Sequence, residues 1–256
     1  MSFAHVNRYT GIRVGLDFEG VRPGEIRIVE TRRRLTAEQS YGFVHGLWWH
    51  WLADGCVVVS VPPGAGNAVQ AVLGDLSDEE SIFDDRLAEA LKAPVDQALL
   101  GAGMPAIDRV FRDLVFACNQ ELVNHHPLPT CRRLLDESIP AAEGLRLPTH
   151  CFPDGVVFGM VHERQVVSVA YAHRVGVLED VVADVGVETA VSHRQRGYAK
   201  VVVSALVAHF TDLGGEARYA CSPSNEASIA TAKSAGFIPY GKSLILSAPR
   251  IARSTE

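Results

Sequence analysis

A change of hydrophobic period in the second half of the chain constrains the fold more than any other sequence feature. Three runs rich in β-branched residues follow each other with short breaks, at Val156–His162, Gln165–Val175 and Asp180–Val191. Such runs predict an antiparallel meander. From Gly197 to Leu213 the apolar residues instead recur at helical spacing, and Gly214 follows as a stop signal.

The rest of this half continues to alternate between the two periods. Glu216–Ser222 has strand character, Asn225–Ala235 is predicted as a helix, and Phe237–Ser247 returns to strand character. The predicted order is therefore β-β-β-α-β-α-β. We assign the fold class as α/β, with helices packed on a mixed α+β sheet.

The first half has weaker patterns. We predict a helix over Thr36–Leu52, a buried strand over Cys56–Val61, and helices over Asp78–Lys92 and Pro105–Val123. The proline-rich stretch 125–155 is predicted to be a connection with one short helix around residues 130–138.

These patterns predict two regions. Residues 1–140 form a more helical N-terminal region that shapes an acceptor pocket or serves as an accessory domain, and residues 141–256 form the catalytic domain. Cys56–Val61 is the candidate for the first strand of the C-terminal sheet, which would blur this boundary.

Charge and composition exclude several classes of protein. Residues 1–140 hold 13 Lys+Arg and 19 Asp+Glu, whereas residues 141–256 hold 11 of each, so the net charge of −6 lies in the first region. A broad basic surface for nucleic acid is therefore not expected, and the acidic region favours a cationic acceptor. No stretch approaches the ~20 apolar residues of a membrane span. Five scattered cysteines without a C-x-x-C pair indicate reduced thiols and a cytoplasmic protein.

The segment from Val187 to Lys200 carries the strongest chemical signal. A strand ends, a short polar loop supplies Arg194, Arg196 and Gly197, and a helix begins at once. Backbone N–H groups at a helix N-terminus have no helical partner and, with the helix dipole, form an anion site. Taken alone, the loop fits equally well an ordinary connection with an incidental arginine pair.

Arg194–Ala199 fits the R/Q-x-x-G-x-G/A signature, and it lies after the third strand of a meander at the start of a helix. Asn225, Ser228 and Gly236-Phe237 stand at the spacing of a second signature. By these two motifs the chain, over roughly residues 150–247, resembles the GNAT superfamily of acyl-CoA-dependent N-acyltransferases.

The resemblance implies where acetyl-CoA, as co-substrate, would bind. Thr189 and Val191 would hydrogen-bond the pantetheine arm through their backbones, Asn225 would bind the same arm or hold the neighbouring strand, and Ser228 lies on the same helix face as Asn225. The pyrophosphate would be held by Arg194, Gln195, Arg196, Gly197, Tyr198 and Ala199.

One position departs from the family pattern. Many members carry a tyrosine seven residues after the asparagine as general acid for the leaving thiolate, and here that residue is Ala232. The proton then comes from another residue, from water or from no group at all. The candidate substitutes are Tyr171, His173, Tyr219 and Tyr240.

Glu188 and Asp184 are the candidates for the catalytic base. They lie on one face of the strand that leads to the loop, where a carboxylate could take the proton of an acceptor amine. The alternative is ordinary strand-edge charge or, for Glu188, a polar residue that holds the loop.

Three other groups of residues could form binding sites, and we interpret them as structural instead. The histidines and cysteines lack paired ligand spacing, so no metal site is expected. Trp48, Trp49 and Trp51 are interpreted as core or interface. The run Arg32–Arg34 is interpreted as a solvated basic turn.

The sequence thus predicts an N-acetyltransferase that transfers acetyl from acetyl-CoA to a primary amine of a small molecule or peptide, by direct attack on the thioester. A non-catalytic acyl-CoA-binding module is the alternative, and a structural protein that retains only the fold is the third. The acceptor, the acyl length and the oligomeric state stay open, with a homodimer as one arrangement.

Overall fold

The computed structural model describes residues 3–16, 21–36, 43–74, 79–152, 155–173, 178 and 181–249. The elements, in chain order, are α1 (Ala4–Val14), β1 (Ile26–Glu30), β2 (Val44–Leu52), β3 (Val57–Val61), α2 (Gly66–Leu73), α3 (Asp85–Gly101), β4 (Arg109–Cys118), β5 (Cys131–Leu134), β6 (Val157–His162), β7 (Gln165–His173), β8 (Val182–Thr189), α4 (Tyr198–Asp212), β9 (Glu216–Cys221), α5 (Glu226–Ser234) and β10 (Ile238–Ala248).

The chain forms two compact units, each built from two segments. Unit 1 consists of Met1–Tyr9 and Val115–Pro239, and unit 2 of Thr10–Leu114 and Tyr240–Glu256. This division differs from the predicted boundary at residues 140 and 141, because most of β10 pairs with the N-terminal strand β2. Sequence periodicity cannot show such a long-range pairing.

Unit 1 contains the predicted meander. β5, β6, β7 and β8 pair antiparallel in this order, and β9 lies parallel to β8. The helix α4 joins β8 to β9 and buries an apolar face that includes Val202, Leu206 and Phe210. The predicted order β-β-β-α-β-α-β is confirmed by β6 to β10 with α4 and α5.

In unit 2 the sheet runs in the order β1-β3-β2-β10. β1 and β3 are parallel, whereas β2 is antiparallel to both β3 and β10. One face of this sheet packs with α2 and α3 into an apolar core that includes Leu47, Trp49 and Leu91. Trp48 and Trp49 are both buried, which confirms their interpretation as core residues.

The helix predicted over Thr36–Leu52 is wrong where the structure describes it. Val44–Leu52 is the strand β2, and residues 37–42 lie outside the described part of the chain. Eight of the nine residues of β2 are buried, because β2 lies between β3 and β10 and both of its faces are covered. A strand buried on both faces lacks the polar-apolar alternation that would have identified it.

Two other helix predictions also fail. Residues Arg109–Cys118, within the helix predicted over Pro105–Val123, form the strand β4. Cys131–Leu134, within the helix predicted around residues 130–138, forms the strand β5 and pairs with β6. In both cases strand pairing with a distant part of the chain decides the conformation.

Other predictions for the first half hold in part. The strand predicted over Cys56–Val61 is confirmed as β3, but it pairs with β1 and β2 in unit 2 and not with the sheet of unit 1. The helix predicted over Asp78–Lys92 corresponds to a 3-10 turn, Glu79–Phe83, followed by α3. Arg34 is fully buried and donates to the carbonyl oxygens of Arg13 and His45, so the solvated turn predicted for Arg32–Arg34 is wrong at this residue.

Candidate functional site

The pairing of β8 with β9 stops before either strand ends. The parallel ladder joins Val182–Asp184 to Glu216–Arg218, and within these two fully described strands it goes no further. Beyond Asp184 and Arg218, β8 continues to Thr189 and β9 to Cys221. An opening therefore remains between two strands of the same sheet.

The backbone of β8 faces this opening at alternate residues. The N–H of Ala190, the residue after β8, donates to the carbonyl of Val167 on β7, at 2.9 Å. Because hydrogen-bonding sides alternate along a strand, the backbone groups of Val185, Val187 and Thr189 point away from β7, toward β9. An extended ligand can therefore pair with β8 as an added strand would.

The opening leads to the turn that precedes α4. Val191–His193 forms a 3-10 turn, Gln195 and Gly197 have φ of 60° and 77°, and α4 begins at Tyr198. The cap residue is Gly197, and no side chain in the described part of the chain bonds to this helix N-terminus. The N–H groups of its first turn, at Tyr198, Ala199 and Lys200, are therefore available to an anion.

Two arginines add positive charge at the turn. Arg194 and Arg196 are both exposed, and Arg194 Nε donates to the carbonyl oxygen of Thr189 at 3.3 Å. The hydroxyl of Thr189 hydrogen-bonds Ser168 on β7 at 2.8 Å. Val191 lies beyond the end of β8 and is 68% exposed. The predicted phosphate-binding residues thus form one contiguous turn.

Three aromatic rings lie beside this turn. His162, at the end of β6, is 5.8 Å from the ring of His193 and 6.4 Å from that of Tyr198, centroid to centroid. The position of His162 beside this turn was not predicted, because nothing in the local sequence distinguishes this histidine.

The two candidate bases differ in their surroundings, although both lie on β8. Asp184 is buried, and its carboxylate accepts hydrogen bonds from Tyr9 Oη at 2.7 Å and from Arg218 at 2.8 Å. Glu188 is half-buried and lies four residues further along, beside the opening. Asp184 therefore stabilises the point where the opening closes, whereas Glu188 lies along the opening itself.

Tyr171 connects the positions of these two carboxylates. Its ring lies over Gly186, its partner in the β7–β8 register, where any side chain would collide with it. The pKa of Tyr171 is raised, first by burial and then by the charges of Cys151, Glu188 and Asp184. Tyr171 thus keeps its proton at neutral pH and presents a neutral ring between two carboxylates.

The other border of the opening is formed by β9 and α5. Asn225 caps α5, because its side-chain oxygen accepts from the N–H of Ser228 at 3.1 Å. The hydroxyl of Ser228 hydrogen-bonds Tyr219 Oη at 2.7 Å. Ala232 is completely buried, and the side chain of His173 lies outside the described part of the chain.

Sequence reasoning missed the contacts that join these residues. Tyr9 and Arg218 bind Asp184 from α1 and β9, and no local pattern links them to it. In the described part of the chain no group of three or more His, Cys, Asp or Glu could hold a metal ion. No described helix is long and apolar enough to cross a membrane.

Comparison with known proteins gives the same family as the motifs. The model of the GNAT acetyltransferase family matches residues 117–237, whereas none of the curated proteins matches the chain.

Solved structures with a similar fold come from several bacteria. A GNAT-family protein from Novosphingobium aromaticivorans is 19% identical with a TM-score of 0.48, and the match covers 57% of this chain and 67% of that one. A GNAT-family acetyltransferase from Colwellia psychrerythraea is 19% identical with a TM-score of 0.44, covering 59% of this chain and 60% of that one. A GCN5-related N-acetyltransferase from Kribbella flavida is 17% identical with a TM-score of 0.42, covering 60% and 63%.

The chain thus spans less than two thirds of the length of the second and third of these proteins. The family match lies within unit 1 and contains the opening, the turn and α5. The chain therefore carries a GNAT acetyltransferase domain at residues 117–237.

Proposed function

We propose that the protein transfers the acetyl group of acetyl-CoA to a primary amine by direct attack of the amine on the thioester. The observation that carries this proposal is the end of β8 that does not pair with β9, which leads directly to the N-terminus of α4. A ligand with an extended amide-containing arm and a diphosphate matches both parts.

The diphosphate would lie on the N–H groups of Tyr198, Ala199 and Lys200, with Arg194 and Arg196 beside it. From there the arm would run back along β8, where Val185, Val187 and Thr189 offer backbone groups. Thr189 to Val185 spans about 13 Å, since a strand rises about 3.3 Å per residue. The thioester would then lie toward the closed end of the opening. The rings of His162, His193 and Tyr198 would lie near the nucleotide end.

Glu188 is the base in this proposal. It is half-buried beside the opening, whereas Asp184 is already held by Arg218 and Tyr9 at the closed end. Glu188 takes one proton from the ammonium form of the acceptor, directly or through a water. The neutral amine attacks the thioester carbon, the C–N bond forms, and the C–S bond breaks with its electron pair on sulfur. The surplus proton on nitrogen leaves, the thiolate takes one up, and the products are an amide and free CoA.

The acceptor is proposed to be a cationic amine of a small molecule or peptide. The carboxylate of Glu188 and the ring face of Tyr171 are surroundings that attract an ammonium group. Binding the cation would hold the nitrogen close to the base.

Calorimetric titration with acetyl-CoA, followed by turnover across a panel of polyamines, amino acids and peptides, tests this function. We expect micromolar binding and release of CoA with at least one amine. Absence of binding contradicts the proposal, and binding without any turnover favours the non-catalytic acyl-CoA-binding module. Light scattering of the same samples determines whether the chain is a homodimer.

We also propose that the protein works in the cytoplasm. All five cysteines are free thiols in the structure. Burial raises the pKa of Cys118 to about 12 and, as the largest cause, those of Cys56 and Cys131 to about 11, so these thiols are poor nucleophiles.

A further inference from the structure

Two hydroxyl groups meet where the opening of unit 1 closes. Tyr219 is the residue directly after Arg218, which forms the last pair of the β8–β9 ladder. Its hydroxyl lies 2.7 Å from Ser228 Oγ in the first turn of α5. The pair therefore borders the end of the opening where the proposed function places the thioester.

The environment keeps the phenol of Tyr219 able to donate. Tyr219 is 2% exposed, its ring packs edge-on against Phe237 at 5.5 Å, and burial is the main cause that raises its pKa to about 12. The phenol therefore keeps its proton, and Ser228 is the partner of that hydroxyl found in the described part of the chain. With Tyr219 as donor, Ser228 Oγ is the acceptor and its own proton can turn toward the opening.

The backbone of α5 holds Ser228 in place. Asn225 accepts from its N–H, which fixes the first turn of the helix, while Tyr219 fixes the side-chain oxygen. Two contacts from different elements thus orient one hydroxyl. Such an arrangement gives a hydrogen-bond donor that needs little reorganisation during a reaction.

We propose that Ser228 donates a hydrogen bond to the sulfur of CoA as it leaves, and that Tyr219 is the positioning residue that orients this hydroxyl. This inference rests on the proposed function. It assigns stabilisation of the leaving group to a side chain although Ala232 stands at the position of the usual tyrosine.

The step itself needs no proton transfer from either residue. When the C–S bond breaks, its electron pair goes to sulfur, and the O–H of Ser228 stabilises the resulting charge. The thiolate then takes up the proton released from the amide nitrogen, by way of water. Ser228 and Tyr219 end the cycle in the protonation states in which they began.

The thiol pKa of bound CoA tests the inference without an acceptor. The ultraviolet absorbance of the thiolate is followed against pH, in the complex of the full chain with CoA. A hydrogen bond to a charged group implies that Ser228→Ala raises the thiol pKa of bound CoA by about one unit, a tenfold change in ionisation constant. We expect Ser228→Thr, which keeps a hydroxyl, to restore most of the shift, and Tyr219→Phe to cause part of it.

Ser224→Ala is the matched control, because Ser224 is an exposed serine in the loop before α5 and bonds to Ser222. It should leave the thiol pKa unchanged. If CoA binds and Ser228→Ala leaves the pKa as in the wild type, the inference is wrong while the proposed function stands. Failure of CoA to bind the wild type overturns both. If Ser228→Ala does not fold, the shift with Tyr219→Phe decides.

Discussion

Units 1 and 2 each contain a parallel strand pair in which one strand leads through a turn into a helix, but the two pairs differ in length. In unit 2, β1 pairs with β3 along all five residues, Ile26–Glu30 with Val57–Val61. In unit 1, β8 and β9 pair at three positions and then separate. The parallel pair of unit 2 is thus hydrogen-bonded along the whole of β1, whereas in unit 1 β8 and β9 continue beyond their last shared pair.

The helices that follow show the same contrast. At the N-terminus of α2, Gly66 N–H donates to the carboxylate of Glu30 at 2.8 Å. Backbone hydrogen bonds from Gly64 and Gly66 lower the pKa of Glu30. Among the described residues, no side chain bonds to the first N–H groups of α4. Unit 2 therefore places its own carboxylate at the positive end of a helix, and the described part of unit 1 does not.

Of the substitutions that test this difference between the units, removal of Arg218 should have the largest effect, and the effect is on stability. Arg218→Met leaves the buried carboxylate of Asp184 without its cation, which costs about 3–5 kcal/mol of stability. Hydrogen exchange should show lost protection in β8 and β9 and unchanged protection in β1 and β3. The double variant Arg218→Met/Asp184→Leu should recover most of the loss. Equal loss in both units would contradict the role of this ion pair.

A carboxylate at the turn of unit 1 should abolish acetyl-CoA binding. Gly197→Asp places a negative charge at the proposed diphosphate site, and φ of 77° also strains any side chain there. We expect at least about a 100-fold loss of affinity, or 2.7 kcal/mol, by calorimetry. Gly64→Asp is the control, because Gly64 has φ of 87° in the matching turn of unit 2. Unchanged affinity in Gly197→Asp would show that the turn is not the diphosphate site.

The two carboxylates of β8 should differ in their role in the reaction, with Glu188 as the one that affects kcat. Glu188→Gln should lower kcat with the best amine of the panel by about 10- to 100-fold, since it removes the base and leaves the proposed acetyl-CoA site. The pH–rate profile should flatten at the acidic side, while the KM for acetyl-CoA stays near the wild-type value. Asp212→Asn, on the exposed end of α4, is the control. A full rate with an unchanged pH profile would remove Glu188 from the mechanism.

The smallest effect is expected at Glu30. Glu30→Ala removes the acceptor at the α2 N-terminus and should cost about 0.5–1 kcal/mol near neutral pH. Because folding lowers the pKa of Glu30, its stabilisation is complete above the ordinary value of 4.5 and is lost as pH falls through the lowered pKa. Urea denaturation should therefore show that wild type and variant converge in acid. A difference that persists in acid would mean that the charge is not the cause.

A site can be predicted from the sequence to the extent that its residues lie close together in the chain. The turn Arg194–Ala199 and the cap at Asn225 are short segments whose residues act on adjacent backbone, so their conformations could be predicted. The contact of Ser228 with Tyr219 joins two elements, and only packing brings them together. Which of these residues bind acetyl-CoA or act in catalysis stays a prediction.

The failed predictions have one physical cause. β2, β4 and β5 are strands because they pair with distant strands, and their local sequence is compatible with either helix or strand. Burial on both faces removed the alternation from β2, and proline-rich surroundings obscured β5. The meander β6–β8 lacked this ambiguity, because each of its strands pairs with the strand that follows it in the chain.

The sequence by itself determined the order of elements from β6 to β10, the family, and the turn that begins α4, because each depends on residues close together in the chain. Tertiary structure alone decided that β10 pairs with β2, that β8 and β9 part after three pairs, and that Asp184 is held by Tyr9 and Arg218. These features depend on contacts across up to about two hundred residues, which local periodicity does not encode.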